Sequence, residues 1–200
     1  MKWLVLAALA ACGGAQHPPA PDVRAEVRAA ETAERARQHD VARKNYEQAI
    51  ADARDPASLG FARNRFGETL ATWGEYDEAQ RQLEGAVAAT PDEPSAWYDL
   101  GIVREHGGDS RGALEALARA KALVPTDWRP RVALAALHWK LAAACLRATP
   151  AAESCTADVE AARSEYNGLL ALDLPQRLRE KVQWALAQLA SPNAGVRPAL

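Results

Sequence analysis

An internal repeat of 34 residues limits the fold of this chain more than any other feature of its sequence. Six residues of the first copy return unchanged in the second copy. The pairs are Gly67 and Gly101, Gly74 and Gly108, Ala79 and Ala113, Leu83 and Leu117, Ala86 and Ala120, and Pro91 and Pro125. Identities in one register indicate a stacked unit, because a single unit of this size cannot bury its own apolar face.

The repeated unit is predicted to be helical. From Asp22 onward, apolar and small residues recur at spacings of three and four, and no alternating strand pattern is present. Proline or glycine interrupts the pattern at short intervals, as expected for helices joined by turns. Gly101 and Ala113 are predicted to lie where the two helices of a hairpin approach most closely, while Pro125 marks the end of the second helix.

The second copy resembles the tetratricopeptide repeat family, whose period is also 34 residues. The residues that carry the resemblance are Trp97, Leu100, Gly101, Ala113, Leu117, Ala120 and Pro125. The resemblance implies an all-α fold, a right-handed α-solenoid of antiparallel helix hairpins. It also implies that the chain binds other proteins and is not an enzyme.

Two further copies are more divergent, and together they define the predicted domain organisation. Ala42, Tyr46 and Ala49 repeat the second-helix spacing upstream, and Ala162 and Tyr166 repeat it downstream. We therefore predict a helical domain over 23–190, with repeats at about 23–56, 60–93, 94–127 and 128–174. A capping helix over 176–190 covers the last apolar face, and 191–200 is predicted to be a flexible tail.

The N-terminus is predicted to be an export signal. Met1 and Lys2 precede an apolar run over 3–11, which is too short to span a bilayer as a helix. The run ends at Cys12, and Leu9-Ala10-Ala11-Cys12 resembles the lipobox of bacterial lipoproteins. An ordinary secretory signal and a cytoplasmic apolar start are the alternatives.

The lipoprotein resemblance implies that the signal over 1–11 is removed and that the Cys12 thiol then carries a lipid. Such a lipid would incorporate labelled palmitate. Residues 12–22 are rich in glycine and proline and are predicted to form a tether. Because Gly13 is not aspartate, the expected location is the bacterial envelope, at the outer membrane facing the periplasm.

The other two cysteines flank an insertion in the fourth hairpin. Cys145 precedes it and Cys155 follows it, at the two sides of the turn between antiparallel helices. Their Cα atoms are therefore expected at disulfide distance, and an oxidising compartment permits the bond. Two free buried thiols are the alternative.

Composition and motifs argue against several function classes. Lys and Arg number 24 against 26 Asp and Glu, so no basic excess supports binding to nucleic acid. The four histidines have no metal-ligand spacing, and no glycine-rich phosphate loop is present. The repeat register places the run from His106 to Ser110 in a hairpin turn rather than in a catalytic loop. We predict no catalytic residue, no cofactor, no metal and no small-molecule substrate.

The predicted partner site is the concave groove formed by the first helix of each repeat. Carried over by register, the family's groove positions are Phe61, Asn64, Glu68, Tyr98, Ile102, Glu105, Val132, Ala136 and Trp139. Glu68 and Ile102 stand where a carboxylate clamp for chaperone tails needs amides, which disfavours that kind of adaptor. The large apolar side chains are candidate anchors for an apolar peptide, although packing within the repeats is an equal alternative.

The predicted function is a lipid-anchored scaffold that binds, or helps to assemble, another envelope protein through this groove. A pilot or assembly factor for a secretin or pilus is a subsidiary hypothesis, suggested by repeat lipoproteins of similar architecture. A periplasmic enzyme, or the regulatory subunit of one, is the alternative from a different class.

Overall fold

The computed structural model describes residues 22–148 and 155–190. Over these ranges it consists of nine α-helices and has no β-strand, which confirms the all-α prediction. The helices are α1 (Val23–Arg35), α2 (His39–Asp52), α3 (Pro56–Trp73), α4 (Tyr76–Ala89), α5 (Pro94–His106), α6 (Ser110–Leu123), α7 (Trp128–Ala148), α8 (Thr156–Leu170) and α9 (Gln176–Leu189). The predicted signal over 1–11, the tether up to residue 21 and the tail over 191–200 lie outside the described residues.

The helices form a stack of hairpins, as predicted for an α-solenoid. α1 packs on α2, α3 on α4, α5 on α6 and α7 on α8, and each hairpin contacts the next. The first helices α1, α3, α5 and α7 also contact one another in succession, whereas the second helices of successive hairpins do not approach as closely over the described ranges. The stack therefore curves, with the first helices on the concave side.

The two repeated glycines allow the helices of each hairpin to approach closely. A Cβ atom at Gly67 would lie 2.6 Å from Cγ of Leu83, and one at Gly101 would lie 2.6 Å from Cγ of Leu117. A side chain at either position would overlap the leucine of the facing helix. The same contact in two repeats explains why both residues of each pair recur with the period of the chain.

The repeated positions of the second helices form the centre of the core. None of the eleven residues that define these positions is more than 1% exposed. They are Ala42, Tyr46 and Ala49 in α2, Ala79, Leu83 and Ala86 in α4, Ala113, Leu117 and Ala120 in α6, and Ala162 and Tyr166 in α8. The alanines admit neighbouring helices, and the larger side chains fill the space between them.

The second hairpin begins earlier than the sequence pattern indicated. The repeat register predicts a start at about residue 60 for this repeat, whereas α3 begins at Pro56. Asp55 accepts a hydrogen bond from the backbone N–H of Ser58 at 2.8 Å, and proline suits the first helical position because no partner is needed for its nitrogen. The extra residues that separate the first two repeats therefore form an added first turn of α3.

A disulfide joins the two helices of the fourth hairpin. Cys145, in the last turn of α7, is bonded to Cys155, directly before α8, with a Cα–Cα distance of 5.5 Å. The bond closes a loop across a sequence separation of 10 residues. In the chain-entropy description, such a loop stabilises the folded state by roughly 2.5 to 3 kcal/mol.

The last helix, α9, covers the end of the stack. Val182 and Ala185 are fully buried, and Leu189 is nearly so, in a cluster that includes Tyr166 of α8. The opposite face of α9 is exposed to solvent and carries Trp184. No helix within the described ranges has the length and apolar content needed to cross a membrane.

Candidate protein-binding groove

The concave side of the stack contains a cavity of about 790 Å³. It lies across the first helices α1, α3 and α5 and reaches the start of α7. Phe61 and Tyr98 contribute partly exposed aromatic rings, so the cavity has apolar walls as well as charged ones. A groove of this size, open to solvent and partly apolar, has the form of a site for a peptide segment.

The structure brings four of the nine predicted groove residues together. Phe61, Asn64 and Glu68 project from α3, and Tyr98 projects from α5, into the same cavity. The other five do not line it. Those residues are Ile102, Glu105, Val132, Ala136 and Trp139.

Each of these five residues is partly or fully engaged in the fold. Ile102 packs against the cluster that contains Leu134 and Leu137, and Val132 packs against the cluster at the end of the stack. Glu105 accepts a hydrogen bond from Lys140 at 3.2 Å. Ala136 lies on α7 and is half-buried.

Trp139 is the clearest departure from the sequence-based groove. Its side chain is only 3% exposed and belongs to the cluster that includes Tyr166 and Val182. A tryptophan buries a large area of apolar surface, so the fold gains more by enclosing this ring than by presenting it to a partner. Extending the repeat register into the divergent fourth hairpin therefore gave an incorrect direction for this side chain.

Apart from Glu68, the charged side chains of the groove were missed by the sequence analysis. Five carboxylates and three guanidinium groups line the cavity. The repeat register contained a signal for some of them, because Glu31, Arg65 and Asp99 are each separated by one period. In the structure these residues occupy the same position on α1, α3 and α5.

The three arginines of the groove are already engaged within the protein. Arg65 donates to Glu31 at 2.7 Å and to Glu68 at 2.6 Å. Arg24 lies over the ring of Phe61, with its guanidinium carbon 4.7 Å from the ring centroid. Such contacts orient the arginines and leave less of their donor capacity for a ligand.

The third arginine is held at the opposite end of the groove. Arg129 donates to Asp127 at 2.7 Å, and its guanidinium carbon lies 5.9 Å from the centroid of the Tyr98 ring. The hydrogen bonds from Arg129 lower the pKa of Asp127. Asp127 and Arg129 therefore form a pair of ionised groups beside the aromatic wall.

Asp99 differs from Glu31, Glu68 and Asp127 because it has no salt bridge over 22–148 and 155–190. Partial burial raises the pKa of its carboxyl group to about 7, and the negative charge of Glu68 acts in the same direction. Asn64, Arg65 and Arg129 oppose this shift. The protein therefore stabilises the ionised form of Asp99 less than it stabilises the carboxylates paired with arginine. An added cation or hydrogen-bond donor would favour the ionised form.

The histidines of the described ranges are engaged in packing or hydrogen bonding. His39 stacks on Trp73 and His106 stacks on Tyr76, with ring centroids 4.5 Å and 4.9 Å apart. His138 is 2.8 Å from Asp158 across the fourth hairpin. Within the same ranges, no group of three or more His, Cys, Asp or Glu side chains is placed to hold a metal ion.

Comparison with known proteins relates this architecture to a family. Residues 64–127 match the sequence model of the tetratricopeptide repeat. No curated protein sequence matches the chain.

Two solved structures have a similar fold. The structure of PilF from Pseudomonas aeruginosa has a TM-score of 0.65 and 18% identity, covering 84% of this chain and 68% of PilF. A putative protein binding protein from Bacteroides ovatus has a TM-score of 0.52 and 12% identity, covering 84% of this chain and 98% of that protein. The chain therefore contains tetratricopeptide repeats over residues 64–127, within a longer stack of helix hairpins of similar fold.

Proposed function

We propose that the protein is a non-enzymatic scaffold that binds a segment of another envelope protein in the groove between Phe61 and Tyr98. Tetratricopeptide repeat domains generally act by binding protein partners. The observation that carries the proposal is the concave cavity of about 790 Å³, in which these two aromatic rings remain partly exposed. Aromatic side chains are frequent anchors of protein interfaces because they bury a large area at a small loss of conformational freedom.

The binding site can be tested with paired alanine variants. The double variant Phe61→Ala/Tyr98→Ala removes both rings from the groove. Trp184→Ala is the control, because this aromatic residue is 45% exposed on α9 and lies outside the groove. Full-length protein carrying a photo-crosslinker in α5 should capture a partner in cells of the source bacterium. We expect the double variant to lose this crosslink and the control to retain it. A crosslink of equal yield in the double variant would show that the groove is not the binding site.

We also propose that a lipid on Cys12 anchors the scaffold to the outer membrane, facing the periplasm. The sequence around Cys12 supports this proposal, with an apolar run before it and Gly13 after it. The residues concerned lie outside the described part of the chain. Labelled palmitate should enter the wild type and not Cys12→Ala, and fractionation should recover the label with outer membranes. Equal incorporation in both proteins would exclude Cys12 as the lipid site.

A pilot or assembly factor for a secretin or pilus is a second candidate, favoured by the structural similarity to PilF. This function is a special case of the scaffold, because a pilot must hold one subunit while a larger complex forms. Deletion of the gene should then reduce the amount of a heat-resistant secretin multimer or of surface pili. Normal assembly of both would leave the general scaffold as the function.

A further inference from the structure

The charged positions on the concave face form an incomplete ladder. Glu31 on α1 pairs with Arg65 on α3, one period later in sequence, with Nη2 of the arginine 2.7 Å from Oε1 of the glutamate. Asp99 occupies the next position along the ladder, on α5. The next position is Ala133 on α7, which is uncharged. Arg65, the cation next to Asp99 in the ladder, is paired with Glu31 and Glu68, so Asp99 has no salt bridge among the described residues.

The cations nearest to Asp99 are held by other acceptors. Arg65 lies between Glu31 and Glu68, and Arg129 is paired with Asp127. Since each arginine already has a close carboxylate, turning it toward Asp99 would break an existing salt bridge. Among the described residues, Asn64 is the hydrogen-bonding neighbour that favours the charged form of Asp99, and neither arginine forms a salt bridge with it. The carboxylate can therefore accept further hydrogen bonds from a bound cation.

The same cavity also contains an amide oxygen without a hydrogen-bond donor. Asn64 on α3 is only 8% exposed, and its Nδ2 atom donates to Oγ of Ser95 at 3.4 Å. Its Oδ1 atom is buried and has no hydrogen-bond partner within residues 22–148 and 155–190. A buried amide oxygen without a donor destabilises the free groove, so a ligand that supplies the donor gains binding free energy.

We propose that the groove receives a lysine or arginine side chain from a segment of the partner protein, with Asp99 and Oδ1 of Asn64 accepting its hydrogen bonds. This inference rests on the proposed groove-binding function and specifies the chemistry of its partner. The walls of the cavity suit the aliphatic stem of such a side chain, because Phe61 and Tyr98 present aromatic surface beside the acceptors. Carboxylates outnumber guanidinium groups in the lining, which also favours a positively charged ligand.

Binding of a cation in this place is coupled to the ionisation of Asp99. The free groove holds Asp99 partly protonated near neutral pH, whereas a bound ammonium or guanidinium favours the carboxylate. The charged groups that face Asp99 are Glu68 and Arg65 on α3 and Arg129 on α7. Affinity for a basic segment should therefore rise between pH 6 and pH 8, by about tenfold, as the ionised fraction grows from about one tenth to about nine tenths.

The test is selection from a random linear peptide library displayed on phage, with full-length protein as bait. Asp99→Asn removes the charge at constant size, and Asp173→Asn is the matched control because Asp173 is exposed between α8 and α9, away from the groove. Wild type and Asp173→Asn should select peptides that share a lysine or arginine at one position, and Asp99→Asn should not. Circular dichroism shows whether all three proteins are folded.

A synthetic peptide from this selection then tests the contact between its basic residue and Asp99. Replacing its shared basic residue by norleucine should weaken binding to wild type by about tenfold or more, and should have little effect on binding to Asp99→Asn. The increase in affinity from pH 6 to pH 8 should be present in wild type and absent in Asp99→Asn.

The outcomes separate the partner chemistry from the binding function. Peptides that need Phe61 and Tyr98 but contain no basic residue would overturn the proposed chemistry and leave groove binding intact. A selection without any peptide that depends on those two rings would overturn both. Self-association of the wild type that is lost in Asp99→Asn would identify a second copy of the chain as the occupant, and would contradict a separate partner.

Discussion

Gly101 of α5 faces Leu117 of α6 so closely that a Cβ atom on the glycine would lie 2.6 Å from Cγ of the leucine and 2.8 Å from its Cδ2. The contact joins the two helices of the third hairpin. Leu117 is fully buried, so it has little room to move away. This single distance explains a sequence constraint that recurs one period earlier at Gly67 and Leu83.

Substitution of this glycine tests the close approach directly. Gly101→Ala should lower the free energy of unfolding by about 1 to 3 kcal/mol, because the new methyl group displaces α6, although alanine itself favours helix. Gly107→Ala is the control, since the nearest atom to a Cβ there is 3.6 Å away and the backbone is right-handed. Urea denaturation followed by circular dichroism measures both. Equal stabilities of the two variants would contradict the steric explanation.

Gly74 restricts substitution for a different reason. No atom lies within 4 Å of a Cβ placed there, but its φ of +84° is in the left-handed region at the end of α3. Gly74→Val should therefore lose about 1 to 2 kcal/mol through backbone strain, and Gly74→Asn should lose less because asparagine tolerates this conformation. Thermal unfolding distinguishes the two. If the order is reversed, side-chain contacts rather than φ govern this position.

The disulfide should make the fourth hairpin sensitive to reduction. The double variant Cys145→Ser/Cys155→Ser is expected to lose roughly 2.5 to 3 kcal/mol of unfolding free energy, because the unfolded chain gains the freedom of the opened loop. Reductant should lower the stability of wild type by a similar amount and leave the variant unchanged. The mass of the wild type should increase by about 2 Da on reduction. Free thiols in protein isolated from an oxidising compartment would contradict this expectation.

Asp99 should make the stability of the protein depend on pH. Its folded-state pKa of about 7 lies above the unfolded value of 3.8, so the folded state retains a proton between these two pH values. Stability is therefore lost as the pH rises from about 4 to about 7, and the loss is complete above that range.

The variant Asp99→Asn removes this dependence. It should match wild type near pH 4 and exceed its unfolding free energy by about 1 to 3 kcal/mol above pH 7, because no charge remains to be desolvated. Urea denaturation over this pH range measures the difference, with Asp173→Asn as the control. A difference that stays constant with pH would exclude ionisation of Asp99 as its cause.

Much of the architecture follows from residues that are close in sequence. The period of the glycine, alanine and leucine positions predicted the hairpins and their buried faces, since these contacts lie within one repeat or between neighbours. The pairing of Cys145 with Cys155 also followed from local geometry, because the two residues lie at the two ends of one turn. The added first turn of α3 depended on Asp55 as a cap, which the repeat register alone did not reveal.

The sequence by itself determined the helical repeat, the close contact at each repeated glycine, and the period that places Glu31, Arg65 and Asp99 in one line. Only the tertiary structure decided that Trp139 is buried in the core and that Arg65 is engaged by Glu31 and Glu68. The physical reason is that a periodic pattern specifies which face of a helix is buried. The partner of a long charged side chain, by contrast, depends on the relative positions of several helices. In the described part of the chain, these positions pair Arg65 and Arg129 with other carboxylates and leave Asp99 without a salt bridge.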